Sequence, residues 1–424
     1  MRLLIINQFF WPDTAPTGRF LLDVVRALES SEIQITAICG ASGYGTTSGC
    51  ETKDDTPRPA VRILRPSATR FSKDAVGRML SYGSFLAGAF VAGFRVGRPD
   101  TVITLTTPPL TSVFGRMLKL SRGCKHFIWE MDVYPDIAVE LGTLKRRSTL
   151  TYLIGALADW SRRNADGIIV LGDEMKARLI ARDIPEHKIH VAQNWADGTE
   201  ITPGPFSDGP LVVHYSGNLG LPHDIETISG VIKHLANDPR FQFVFAGGGI
   251  RRESMEAFCR EHGIANVLFR HYASRSELGA SLADGHLGLV TQMPQTCGSI
   301  VPSKTYGIMA AGRPILYIGP REATPARIVE RFRCGWQVNP GDTAALISLL
   351  ERLNSERHLI VEAGCRARQA FEKYYDRPIA AARIVQILGL ELAAVGAPVS
   401  NPRETSYLPL APASERHATA AAGS

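Results

Sequence analysis

Short apolar runs alternate with amphipathic stretches along most of the chain. Leu3-Leu4-Ile5-Ile6-Asn7 has the length and composition of a buried strand, and runs over 33–39, 61–64, 100–106, 126–130, 167–171 and 189–193 predict further strands. Helical patterns lie between them at 20–29, 148–164 and from 172 onward. The alternation restarts at 211–215, with strands at 241–246, 267–270, 287–291 and 315–318 and helices at 224–236, 276–283 and 303–311. Strands that are apolar at successive positions belong to parallel sheets covered on both faces. The series therefore predicts an α/β protein of two Rossmann-like, doubly wound domains, whose ligands lie beyond the carboxyl ends of the strands.

Two stretches interrupt this rhythm. Residues 40–60, rich in Gly, Ser, Thr and Asp, read as a mobile loop. Asn194 to Asp208 lacks periodicity and marks a linker, giving domains at 1–196 and 211–377 with 197–210 between them. A last helix is expected within 378–396, and the Ala/Pro/Ser-rich 397–424 reads as a disordered tail. A third stretch, Met79 to Phe94, carries no charge and is bracketed by Arg78 and Arg95. It is shorter than the roughly 20 residues that span a bilayer, which leaves a helix buried in its domain or one lying in a membrane interface.

The chain of 424 residues has a formal charge of +6, all of it in the first half, where 1–195 hold 25 Lys and Arg against 19 Asp and Glu. Such a surplus suits an anionic membrane surface or ligand. Nucleic acid is not expected, since zinc-finger spacing, RNP-type motifs and basic–aromatic runs are missing. Seven scattered cysteines without a Cys-x-x-Cys pair suggest reduced thiols in a cytosolic protein. The opening apolar run breaks at Asn7-Gln8, too early for a signal peptide.

Candidate chemistry gathers at strand ends. Glu130, Asp132 and Asp136 follow the strand at 126–130, where a doubly wound domain keeps its reactive groups, although a solvated acidic loop would read the same. In Pro302-Ser303-Lys304-Thr305-Tyr306, Ser303 reads as a helix N-cap and Lys304 adds an ammonium at an end suited to phosphate. Gly312 and Pro314 then stop the helix. A capped helix with a solvated lysine is the plainer alternative. Gly247-Gly248-Gly249 lacks the third spaced glycine of a dinucleotide fingerprint, which argues against an oxidoreductase.

Four segments in order, INQFFWPDTAPTGRF, WEMDVYPDIAVELG, HYSGNLG and VPSKTYGIMAAGRPIL, resemble the retaining GT-B glycosyltransferases of family 4, in the subgroup that builds bacterial surface polysaccharides. The resemblance covers roughly 1–385 and implies a cleft between two Rossmann-like domains, a nucleotide-sugar donor, no catalytic metal or other cofactor, and a last helix that crosses back to the first domain. It implies a polyprenyl-diphosphate-linked saccharide as acceptor, met on the inner face of the cytoplasmic membrane by a protein that does not span it. The donor-binding set carried over is Gly18, Arg19, Gly217, Asn218, His271, Tyr272, Ser303, Lys304 and Tyr306, with Asp132, then Asp136, then Glu130 beside the reacting centre. Two departures stand out. Ser299 and Gly307 replace the family's paired glutamates, and Leu221-Pro222-His223 stand where many members carry a cation. Lys304 is the candidate replacement. A non-catalytic sugar-nucleotide binder and a nucleotide-sugar epimerase are the competing expectations.

Overall fold

Successive residues of single strands feed opposite cores, so the central strands are apolar on both faces. Leu3 and Ile5 pack into one cluster while Leu4 and Ile6 pack into another. In the second half Leu316 and Ile318 face one core and Ile315 and Tyr317 the other. The computed structural model describes residues 1–29, 32–40, 56–69 and 75–391. Most of the loop expected at 40–60 and the tail expected at 397–424 lie outside these residues.

The first sheet contains β1 (Arg2–Ile6), β2 (Gln34–Ile38), β3 (Arg62–Leu64), β4 (Thr101–Leu105), β5 (Lys125–Trp129), β6 (Gly167–Val170) and β7 (Ile189–Val191). All pairs are parallel, in the order β3-β2-β1-β4-β5-β6-β7. Its helices are α1 (Pro16–Leu28), α2 (Ala75–Arg95), α3 (Thr111–Arg122), α4 (Asp136–Glu140), α5 (Thr149–Asn164) and α6 (Asp173–Ile180). The second sheet runs β10-β9-β8-β11-β12-β13, again parallel. Its strands are β8 (Leu211–Ser216), β9 (Phe241–Ala246), β10 (Val267–Arg270), β11 (Leu287–Thr291), β12 (Ile315–Ile318) and β13 (Gly335–Val338). Helices α7 (Glu226–His234), α8 (Ile250–Glu261), α9 (Leu278–Ala283) and α10 (Lys304–Ala310) belong to it. So do α11 (Thr324–Phe332), α12 (Thr343–Ser355) and α13 (Arg357–Tyr374), and α14 (Arg377–Ile387) closes the described chain. Strand order reverses between β1 and β4 and between β8 and β11, which creates a ligand crevice at each of those carboxyl ends.

Several elements differ from the sequence expectation. Helix α1 starts at Pro16, before the expected Phe20, because proline fits the first helical turn. Helices α3, α8, α11, α12 and α13 and strand β13 are absent from the expected set. Strand β13, Gly-Trp-Gln-Val, sits at a sheet edge and buries only Val338, so it has no apolar run to read. Ala380, Ala381, Ile384 and Val385 of α14 pack into the core under the first sheet, alongside α1. Beside them Trp195 stacks on Trp129 at 6.0 Å and donates to Asp23 at 2.9 Å.

Helix α2 joins the two readings of 79–94, because one apolar face is buried and another is exposed. Ser81, Phe85 and Ala89 are buried at helical spacing, while Met79, Leu80, Phe90 and Val91 are exposed. Among the described residues no helix is long and apolar enough to cross a membrane.

Helix α3 approaches the sheet closely because residue 115 is glycine. A Cβ there would lie 2.2 Å from Nε2 of buried His126, itself hydrogen-bonded to Thr104. Gly115→Ala is expected to destabilise the protein by about 1–3 kcal/mol through overpacking, read as a lower denaturant midpoint with an unchanged slope.

Candidate active site

At the second crevice, the turn after β8 and the start of α10 meet. Gly217 adopts φ +125, and a Cβ on it would lie 2.7 Å from Cε of Lys304. The Lys304 ammonium thereby lies 3.5 Å from the Asn218 carbonyl and 5.1 Å from the centre of the Tyr215 ring. His223 stands behind it. Its Nδ1 lies 2.9 Å from the Thr291 carbonyl, which makes Nδ1 the protonated donor and leaves Nε2 as an acceptor 3.4 Å from Lys304 Nζ. Burial holds the His223 imidazole down at about 3, so it is neutral at pH 7, and burial also lowers Lys304 to about 8. The arrangement is a partly desolvated cation, held by neutral acceptors beside the glycine turn, and suited to an oxyanion.

At the end of β5 the three carboxylates divide into different environments. Glu130 is buried and accepts from Arg162 Nε at 2.8 Å and Nη2 at 3.3 Å. Arg162 also donates to Asp159 at 3.0 Å and to the Tyr134 carbonyl at 3.0 Å. Asp136 accepts from Arg182, which grips Asp159 as well. Glu130 and Asp136, the third and second expected choices beside the reacting centre, are ion-pair partners that hold the loop. Asp132 is different. Its backbone bridges to Ile300 of the second half, and its carboxylate has no ion-pair partner among the described residues. Burial, with the Glu130 charge behind it, pushes Asp132 up to about 6.

Comparison with known proteins decides the class. Residues 17–195 match the model of the glycosyl transferase 4-like domain. A Pseudomonas aeruginosa protein named as a glycosyltransferase, WbjE, is 26% identical over 369 residues, covering 83% of this chain and 89% of the relative. The chain is a glycosyltransferase, similar over residues 17–195 to the glycosyl transferase 4-like domain. A second relative, WcaI of Escherichia coli (strain K12), named for colanic acid biosynthesis, is 23% identical over 334 residues, 74% of this chain and 82% of its own. Among solved structures, sucrose-phosphate synthase from Thermosynechococcus elongatus aligns with a TM-score of 0.72 at 15% identity, covering 92% of this chain and 98% of that one. Anabaena HepE, solved with UDP-glucose, aligns at 0.67 and 14% identity over 92% and 99%. The fold is GT-B.

The remaining predicted positions of the glycosyltransferase scatter more widely. Gly18 lies inside the first turn of α1, where a Cβ would press 3.1 Å from the Phe9 backbone, so the glycine lets the loop after β1 fold back on the helix. Arg19 follows it, partly exposed. His271 and Tyr272 are exposed, with the Tyr272 ring 3.1 Å from where a Gly248 Cβ would stand. Ser303 occupies the N-cap position of α10, but its hydroxyl makes no capping bond. Tyr306 is fully buried against Tyr375, with ring centroids 5.2 Å apart, and is a core residue instead of a donor-binding one. At Gly307 the nearest side chains to a Cβ are Leu282 and Ile201, at 3.5 and 3.9 Å. Ser299 is buried, and its carbonyl accepts from Val133 at 2.8 Å.

Sequence reasoning missed Arg251. Its backbone N–H bonds to the Leu219 carbonyl, its guanidinium lies 3.6 Å from Met293 Sδ, and its buried Nε has no hydrogen-bond partner among the described residues. Together with His223 it lines a cavity of about 460 Å³. The signal was Arg251-Arg252 following the three glycines at 247–249. Arg162→Ala, which strands the Glu130 carboxylate in the core, is expected to cost about 3–5 kcal/mol in denaturant unfolding, and lysine is not expected to restore it.

Proposed function

We propose that the protein transfers a hexose or N-acetylhexosamine unit, with retention, from a nucleotide sugar to a polyprenyl-diphosphate-linked saccharide during synthesis of a bacterial exopolysaccharide, capsule or O-antigen. The observation that carries this reading is the Lys304 ammonium held against the Gly217-Asn218 turn. Charge grows on the departing diphosphate as the glycosidic bond breaks, and a preorganised cation with adjacent backbone lowers that barrier most. Arg251 supplies a second cation on the same side of the second sheet, so the two take the part a metal ion would otherwise play. Tyr272 and His271, at the end of β10, are suited to receive the base. Asp132 faces the bond from the first half. HepE, solved with UDP-glucose, supports the donor class, and the naming of WcaI for colanic acid supports the product class.

The reading puts the protein on the inner face of the cytoplasmic membrane, attached peripherally. The exposed Met79, Leu80, Phe90 and Val91 of α2, next to Arg95 and Arg98, support it. A second reading, a sugar-nucleotide binder without turnover, draws on Ser299 and Gly307 in the glutamate positions.

Asp132→Asn separates the two. On the transferase reading it keeps donor affinity and lowers turnover by about a hundredfold or more in a transfer assay, and a wild type without turnover favours the binder. The same variant has a stability signature. Because the folded Asp132 titrates at about 6 against an ordinary 3.8, its contribution to stability is full below 3.8 and lost as pH rises through 6. Thermal melts across pH are expected to show Asp132→Asn stabilised by up to about 3 kcal/mol at neutral pH, with the gain vanishing in acid.

Lys304→Ala is expected to weaken donor binding and slow transfer by more than about tenfold. Wild-type donor affinity should decline as pH rises through about 8, where the free lysine loses its proton, and the variant should lack that slope. Calorimetric titration with nucleotide diphosphate across pH checks both, and unchanged affinity in a folded variant removes Lys304 from the site.

A further inference from the structure

Helices α4, α5 and α6 enclose a cavity of about 810 Å³ whose wall carries five arginines and three carboxylates. Arg178 is paired with Glu140, and Arg182 with Asp136 and Asp159. That accounts for every carboxylate. Arg146 and Arg147, on the loop before α5, have no ion-pair partner among the described residues, and Arg163 donates only to the Arg182 carbonyl. The wall therefore keeps an excess of guanidinium forks, which match phosphate oxygens in shape and charge.

One side of this cavity is α5, and the outward face of α5 is apolar. Leu150, Leu153, Leu157 and Trp160 are 56, 53, 44 and 37% exposed, at spacings of three or four that put them on one stripe. Beside it on α3, Arg116 lies 5.5 Å above Trp160, and Met117 and Leu120 are exposed. Exposed apolar side chains bordered by arginines, beside a cationic cavity, complement a lipid whose head carries phosphate. A free phosphate compound would have no use for the stripe. Pro135 lines the cavity only three residues after Asp132, so the two lie within about 11 Å of each other even along an extended chain.

We propose that this cavity binds the diphosphate of the lipid-linked acceptor, with the lipid chain leaving along α5 into the bilayer and the saccharide directed toward Asp132. The proposal rests on the lipid-linked acceptor argued above and adds the place where its head is held.

The test is flotation of the full chain with phosphatidylcholine vesicles containing either a polyprenyl diphosphate or phosphatidylglycerol at matched charge. The wild type is expected to partition about tenfold more strongly onto the diphosphate lipid. The exposed pair Arg146→Ala/Arg147→Ala should lose that preference with an unchanged melting temperature. Equal partition of the wild type onto both anionic lipids overturns the proposal, as does a preference that survives in the double variant. An Arg146-dependent thermal shift with inorganic diphosphate, without lipid preference, assigns the cavity to a soluble phosphate and also overturns it. These readouts need no turnover. Transfer to a soluble saccharide without flotation would sink this site and spare the transferase, while flotation without transfer to any acceptor would leave the site standing and sink the transferase.

Discussion

Lys304 reaches the Asn218 carbonyl only because residue 217 has no side chain, since a Cβ there would lie 2.7 Å from the lysine's own Cε. Everything proposed at the donor side depends on that close approach. It is made possible by β8 and β11 lying next to each other at the reversal of strand order, which brings the turn after one and the segment after the other into the same crevice. The second glycine turn is stacked on the first, with the Cβ position of Gly247 only 2.1 Å from the Gly217 carbonyl. Two glycines, at φ +125 and +131, thus admit backbone where side chains would fill the site.

The first half solves a different problem, which is to hold an acidic loop at the end of a buried strand. A carboxylate in the core is costly unless paired, and Glu130 meets that cost with Arg162, which in turn holds Asp159 and the Tyr134 carbonyl. Arg182 extends the lattice to Asp136. Asp132 lies inside this frame and is left unpaired, with its titration moved toward neutrality. The loop is also tied to the second half, through Val133 donating to the Ser299 carbonyl and the Asp132–Ile300 bridge. Glu174 accepts from both the backbone N–H and the hydroxyl of Thr324, a further tie across the halves.

The uncharged stretch in α2 illustrates why hydropathy alone could not choose between a core and an interfacial helix. An average over residues ignores azimuth. Phe85 and Ala89 point into the sheet, whereas Phe90 and Val91, one or two positions away, face outward. Only the packing of α2 and α3 on the sheet tells which phenylalanine is which, and Phe94 shares its ring contacts with Phe90 and Phe114.

By itself the sequence determined the α/β class and nearly every central strand, because a buried parallel strand must be apolar at successive positions and that leaves a local, readable run. It also carried the glycine turn at 217 and the helix stop at Gly312-Arg313-Pro314, since positive φ and a fixed proline ring restrict residue choice locally. Edge strand β13 was illegible for the converse reason, having little to bury. What the tertiary structure decided was pairing across distance. Three acidic residues in one short loop look alike in sequence, and only the arrival of Arg162 and Arg182, from α5 and from just beyond α6, separates Glu130 and Asp136 from Asp132. Tyr306, two residues from Lys304, faces the core because α10 turns about 100° per residue. Arg251 and His223 meet Lys304's neighbourhood from other elements altogether, and no local pattern encodes a contact made between segments that distant in the chain.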